Sequence, residues 1–161
     1  MSATLRAALL SAAAVAVVEL ALAAGGWVVH PTLGHLAWLS LPVVLIAAAA
    51  GVRASAAEGR DYAGQLVAGA EIGLVAGIAA AVLTWTIHRA IAPAALEEAR
   101  ALAEAQALAR GGGPEAVADA VGLASPFGRA ILRFIEVMFA SVLAGLVVAR
   151  RPRSTGPEGQ V

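Results

Sequence analysis

Four ionisable residues stand inside long apolar runs: Glu19, Glu71, Arg133 and Glu136. At the centre of a bilayer each such group costs about 2.5–3.5 kcal/mol on insertion scales, so it is either paired or part of a route for ions or protons. Arg129, Arg133 and Glu136 are spaced by four and three and therefore share one face of a helix. Glu19 belongs to a different run. Measured from the same end of their runs, Glu19 and Arg133 differ in depth by about four residues, roughly 6 Å of helical rise, which two long side chains can span. A Glu19–Arg133 pair completed by Glu136 has three readings: a structural pair that fixes helix order, a proton or ion relay, and a contact to a partner subunit. Glu71 lies near the edge of its run, where snorkelling to the interface or pairing with Arg53 would satisfy it. A buried functional carboxylate is the alternative there.

The three histidines, His30, His35 and His88, fall at run ends that share one side. Imidazoles so placed can hold a metal ion or an axial haem position. His30 and His35 flank a turn, however, and no carboxylate stands nearby in sequence to orient them. The expectation is no metal and no cofactor. There is no Cys, which excludes disulfides, thiolate metal sites, iron–sulfur clusters and cysteine nucleophiles. No glycine-rich phosphate loop, H-E-x-x-H or G-x-S-x-G pattern occurs either. The chain reads as a non-enzyme.

The elements that must carry these residues follow from composition. Of 161 residues, 60% are hydrophobic and only 14% charged. Soluble domains run nearer ~45–50% apolar and ~25% charged. The apolar residues collect in blocks long enough to cross ~30 Å of hydrocarbon at ~1.5 Å per residue. The spans read as 7–29, 34–52, 66–88 and 127–149, giving an all-α, polytopic four-helix bundle in a single domain, 1–161. The 53–65 stretch forms a short charged link, 89–125 an extramembrane helical segment, and 150–161 a disordered polar tail. Arg6, the apolar run after it and Ala21-Leu22-Ala23 imitate a secretory signal, but apolar character resumes through Val29, which favours a retained first span. All eleven basic residues are Arg, balanced by eleven acids. That usage reads as a GC-rich bacterial genome, and zero net charge offers no field for nucleic acid.

Orientation follows the arginines. With both termini cytoplasmic, Arg6, Arg53, Arg60, Arg150, Arg151 and Arg153 lie inside. Arg89, Arg100 and Arg110 lie outside, with Arg129 at the membrane edge. Trp27, Trp38 and Trp85 then all sit near the outer interface, as an aromatic belt requires. The outer segment is built from strong helix formers between Pro93 and the Gly111-Gly112-Gly113 run, and Ser125-Pro126 reads as N-cap and first residue of the last span.

Gly69, Gly73 and Gly77 form a small-residue ridge for close helix approach, inside the bundle or between subunits. Together with Ile91-Ala92-Pro93, Ser125-Pro126 and the closing Gly145 through Arg150-Arg151, this series resembles the small bacterial membrane family catalogued as domain of unknown function 4199. The resemblance covers the last hundred or so residues and implies four spans and no known activity. The functional expectation is a structural or accessory protein of the bacterial cytoplasmic membrane, contacting lipid and a homo-oligomer or larger complex. The alternative is a small transporter or ion- or proton-conducting protein using Glu19, Arg133 and Glu136.

Overall fold

The computed structural model describes residues 2–27, 33–91 and 93–149, without the side chains of 33–35. His30, the side chain of His35 and the 150–161 tail lie outside the described residues. The fold is all-helical: α1 (Ala3–Ala24), a 3-10 turn (Leu33–Leu39), α2 (Ser40–Ala57), α3 (Tyr62–Thr86), a π-helical turn (Ile87–Ile91), α4 (Pro93–Ala109), α5 (Pro114–Leu123) and α6 (Pro126–Val148). Four of these segments are long and apolar enough to cross a membrane, so the chain is a multi-pass membrane protein.

Helix ends are set by capping, and this moves three boundaries away from those that apolarity alone indicates. α1 stops at Ala24 because Gly26 adopts a positive φ of 67° and the Trp27 N–H closes back on the Leu22 carbonyl at 2.9 Å. α2 continues through Arg53 to Ala57, where Gly59 (φ 91°) ends it in the same way. α3 begins at Tyr62, since the Asp61 carboxylate accepts from the Gly64 N–H at 2.7 Å. The 53–65 stretch is therefore mostly helix, and the link between α2 and α3 is only a few residues long. Ser125 caps α6 by accepting from the Gly128 N–H at 2.9 Å, with Pro126 in the first turn.

α1 packs on α2 and α3, and α6 also packs on α2 and α3, so α1 and α6 occupy opposite corners of the bundle. The core is made of small residues. Val15, Val44, Ala48, Val52, Ile72, Ala76, Ala80 and Val137 are fully buried, while Ile46, Phe127, Phe139 and Val147 point outward. Lipid solvates a large apolar side chain as well as a protein core does, so close backbone approach decides which residues go inside.

The glycine ridge shows how close that approach is. A Cβ on Gly69 would stand 3.1 Å from Cα of Gly145, one on Gly73 2.9 Å from Met138 Sδ, and one on Gly77 2.8 Å from Phe134 Cδ2. The ridge is thus spent on α6 within the chain. α4 and α5 pack on each other at the bundle end opposite the α2–α3 link, and that end carries the candidate site.

Candidate functional site: a buried charge cluster beside a cavity

Glu19 comes from the last turns of α1, and Arg133 and Glu136 from the second and third turns of α6. The three meet across the bundle. Arg133 donates from Nε to Glu19 Oε1 at 2.9 Å, and its Nη2 stands 2.8 Å from the same oxygen. Nη1 donates to Glu136 Oε2 at 2.6 Å. Glu19 and Arg133 are 6% and 7% exposed, so the pair is desolvated, whereas the Glu136 side chain keeps 33% of its surface. Charge-assisted contacts of this length in a dry setting are the strong kind.

His88 joins the cluster from the π-helical turn that ends the third span. A π turn inserts an extra residue into the helical ladder and often marks a functional position. His88 is buried, and its Nδ1 lies 2.8 Å from the Thr84 carbonyl. A carbonyl only accepts, so Nδ1 carries the hydrogen and donates. Nε2 is then free to accept from Arg129 Nη1 at 3.3 Å. The ring also stands 3.8 Å from Glu19 Oε2, beyond hydrogen-bond length. The two guanidinium groups and two carboxylates cancel formally, but they are not evenly distributed. Arg129 is nearest the α5–α6 corner and meets an imidazole instead of a carboxylate, while both carboxylates lie deeper, on Arg133.

A cavity of about 340 Å3 opens beside the cluster, lined by Glu19, Thr84, His88, Arg129, Arg133 and Glu136 together with Leu123, Ala124 and Leu132. Two buried atoms on its lining residues, Glu19 Oε2 and Thr84 Oγ1, have no hydrogen-bond partner among the described residues. Buried polar atoms are rarely left so, because the desolvation cost is not recovered. One turn below Glu19, Thr84 and Arg133 stand Val15, Ala80 and Val137, apolar and fully buried. Further down, Ser11 and Ser55 donate to carbonyls of their own helices, Ala7 at 2.9 Å and Val52 at 2.8 Å, while Ser141 Oγ, one turn below Val137, is buried without a hydrogen-bond partner among the described residues.

The remaining candidates lie elsewhere. Glu71 is exposed near the α2–α3 link and accepts from Arg60 Nη1 at 3.0 Å; its partner is Arg60, not Arg53. Continuation of α2 through Arg53 puts that side chain on the exposed surface of the helix, and Arg60 sits in the link facing Glu71. Among the described residues no group of three or more metal-ligating side chains comes together. Sequence position groups His88 with His30 and His35, whose side chains lie outside the described residues; the structure places His88 beside the charges. The signal was present in α3: Gly69, Gly73 and Gly77 are followed at near-helical repeat by Ala80, Thr84 and His88, one stripe that turns from glycine to polar at its end.

No protein-family model matches the chain, and neither a curated protein nor a solved structure shows significant similarity to it.

Proposed function

We propose that the chain is a non-enzymatic structural or accessory protein of the bacterial cytoplasmic membrane, carrying a one-sided polar binding site in its outer half. In this reading both termini are cytoplasmic and α4 and α5 face outward, which is supported by the arginine distribution and by Trp85, where the Arg89 guanidinium lies 5.5 Å from the ring centroid at the level of His88. The observation that carries the reading is the combination of a cavity at the charge cluster with the fully buried apolar layer of Val15, Ala80 and Val137 beneath it. A site open at one end with an apolar layer below it suits ligand binding better than conduction. The glycine ridge, being packed on α6, leaves the outer helix faces for contacts with lipid, a second copy or a larger complex. The resemblance to the four-span family adds a fold expectation and no activity.

The second reading, conduction of protons or ions through Glu19, Arg133 and Glu136, is favoured by one feature: a buried carboxylate oxygen without a partner next to a cavity. One experiment separates the two. The chain has no cysteine, so each introduced thiol is a unique reporter. Ala124→Cys and Leu132→Cys react with a membrane-impermeant maleimide added outside, Val15→Cys and Val137→Cys do not, and proteoliposomes of the parent chain show no proton or ion flux above empty vesicles. Sustained flux that is lost in Glu19→Gln would overturn the binding reading in favour of conduction.

A further inference from the structure

The cavity has a charge polarity that specifies a class of ligand. At its outer end Arg129 uses one N–H on His88 and, among the described residues, makes no ion pair within 4 Å, Glu19 acting on it only from farther off. A guanidinium offers five N–H donors in a planar fork that matches oxyanions two at a time, so most of that fork is available. At the inner end Glu136 is partly exposed to the cavity, and Glu19 keeps one oxygen, Oε2, unengaged although the residue is more than nine-tenths buried. Thr84 Oγ1, on a residue almost fully buried that lines the same cavity, also makes no hydrogen bond among the described residues. The outer end therefore lacks an acceptor with negative charge, and the inner end sets two carboxylates against the single Arg133 guanidinium. A plain anion would answer Arg129 but leave Glu19 Oε2 unmet and face both carboxylates. A plain cation has the converse difficulty.

Resting on the one-sided binding reading above, we propose that this cavity binds a phosphate–amine zwitterion, its phosphate on Arg129 and its primary ammonium turned toward Glu136, Glu19 Oε2 and Thr84 Oγ1. The depth fits. His88, which holds Arg129, neighbours Trp85 and Arg89 at the level where an aromatic belt meets lipid headgroups. The volume fits as well: about 340 Å3 lies at the lower end of small-ligand sites, which run ~300–1,000 Å3. Leu123, Ala124 and Leu132 supply an apolar side for the short carbon linker between the two charges. The same chemistry occurs in an ethanolamine phospholipid headgroup and in free phosphoethanolamine.

The test uses the purified full chain in detergent. Isothermal calorimetry is run with phosphoethanolamine, inorganic phosphate and ethanolamine, and native mass spectrometry with phosphatidylethanolamine, phosphatidylcholine and phosphatidylglycerol. The zwitterion with a primary amine is expected to bind at least about tenfold more tightly than either half alone, the factor carried by one charge-assisted hydrogen bond. Phosphatidylcholine, whose quaternary amine has no N–H, and phosphatidylglycerol, which has no amine, are retained more weakly. Binding of the soluble compound identifies a soluble ligand, and retention of the lipid alone identifies a headgroup. Arg129→Gln and Glu136→Gln each weaken binding about tenfold, Arg129→Lys retains more of it than Arg129→Gln, and Arg100→Gln on α4 changes nothing. Equal binding of phosphate and phosphoethanolamine, no binding of either source, or full binding by a folded Arg129→Gln protein would overturn the proposal. Thiol labelling at Ala124 and Leu132 together with absent flux would leave the one-sided reading standing in that event, so the two failures are distinguishable.

Discussion

Replacing Arg133 by leucine removes the cation from two carboxylates at once, and they respond differently. Glu136 keeps a third of its side-chain surface and can turn to the cavity. Glu19 cannot. It loses the contacts at 2.9 and 2.8 Å on Oε1, and Oε2 already lacks a partner, so the whole carboxylate is stranded at 6% exposure. Breaking a buried pair from one side costs about 3–5 kcal/mol, and Arg133→Leu belongs in that range. Glu19→Leu is milder, because Arg133 keeps Glu136 at 2.6 Å. A loss of about 1.5–3 kcal/mol, the worth of hydrogen bonds to a charged group, is expected.

The double variant carries the information. With both partners gone, two leucines of similar bulk face each other and the one carboxylate left without its cation, Glu136, is a third exposed, so no buried charge is stranded; such a replacement is often neutral in buried pairs. The summed single losses, about 4.5–8 kcal/mol, should exceed the double loss by about 3 kcal/mol or more. Glu136→Leu serves as a control and costs less than about 1 kcal/mol, since that carboxylate is partly solvated. Reversible unfolding in mixed micelles of a mild detergent and dodecyl sulfate, followed by far-UV circular dichroism, gives all four free energies. Additive losses, agreeing within about 0.5 kcal/mol, would refute the reasoning, because residues in contact do not behave independently.

Three further outcomes follow from the packing and the topology. Gly69→Ala should destabilise by about 1–3 kcal/mol, because its methyl meets the Gly145 backbone at 3.1 Å, while Gly77→Ala meets the movable ring of Phe134 and is rescued in part by Phe134→Leu in the same unfolding assay. Reporter fusions after Gly59 and after Gly113 should give opposite signals, and like signals would refute the assignment of α4 and α5 to the side opposite the α2–α3 link. Glu71→Ala should change stability by less than about 1 kcal/mol, since the pair with Arg60 is exposed on both sides.

The number of membrane-spanning helices was legible because apolar length alone selects them, and Ser125-Pro126 was legible because a cap needs only local chemistry. Boundaries were less so. Hydropathy reports where lipid begins, whereas a helix ends where its last carbonyls find partners, and Gly26, Gly59 and Asp61 decide that independently of lipid. Within the site, Glu19, Arg133 and Glu136 could be matched by depth, since two apolar runs share a common end. The place of His88 could not be read that way. Its signal is the α3 stripe of Ala80, Thr84 and His88 at helical repeat, while no residue in Ile87–Ile91 announces the π turn there by type.

The same α3 stripe links packing to the site. Gly69, Gly73 and Gly77 fix the contact of α3 with α6 through Phe134, Met138, Ser141 and Gly145. Above them, Thr84 and His88 continue the stripe and meet the charged face of α6 through Arg129. A helix is stiff over this length, so the close contact at the glycines sets the height at which His88 meets Arg129. One α-helical residue is ~1.5 Å of rise, enough to break a hydrogen bond already at 3.3 Å. Small residues in the lower half thus position charges in the upper half. The ridge that would have served an oligomer interface is instead the part of the fold that holds the cluster in register.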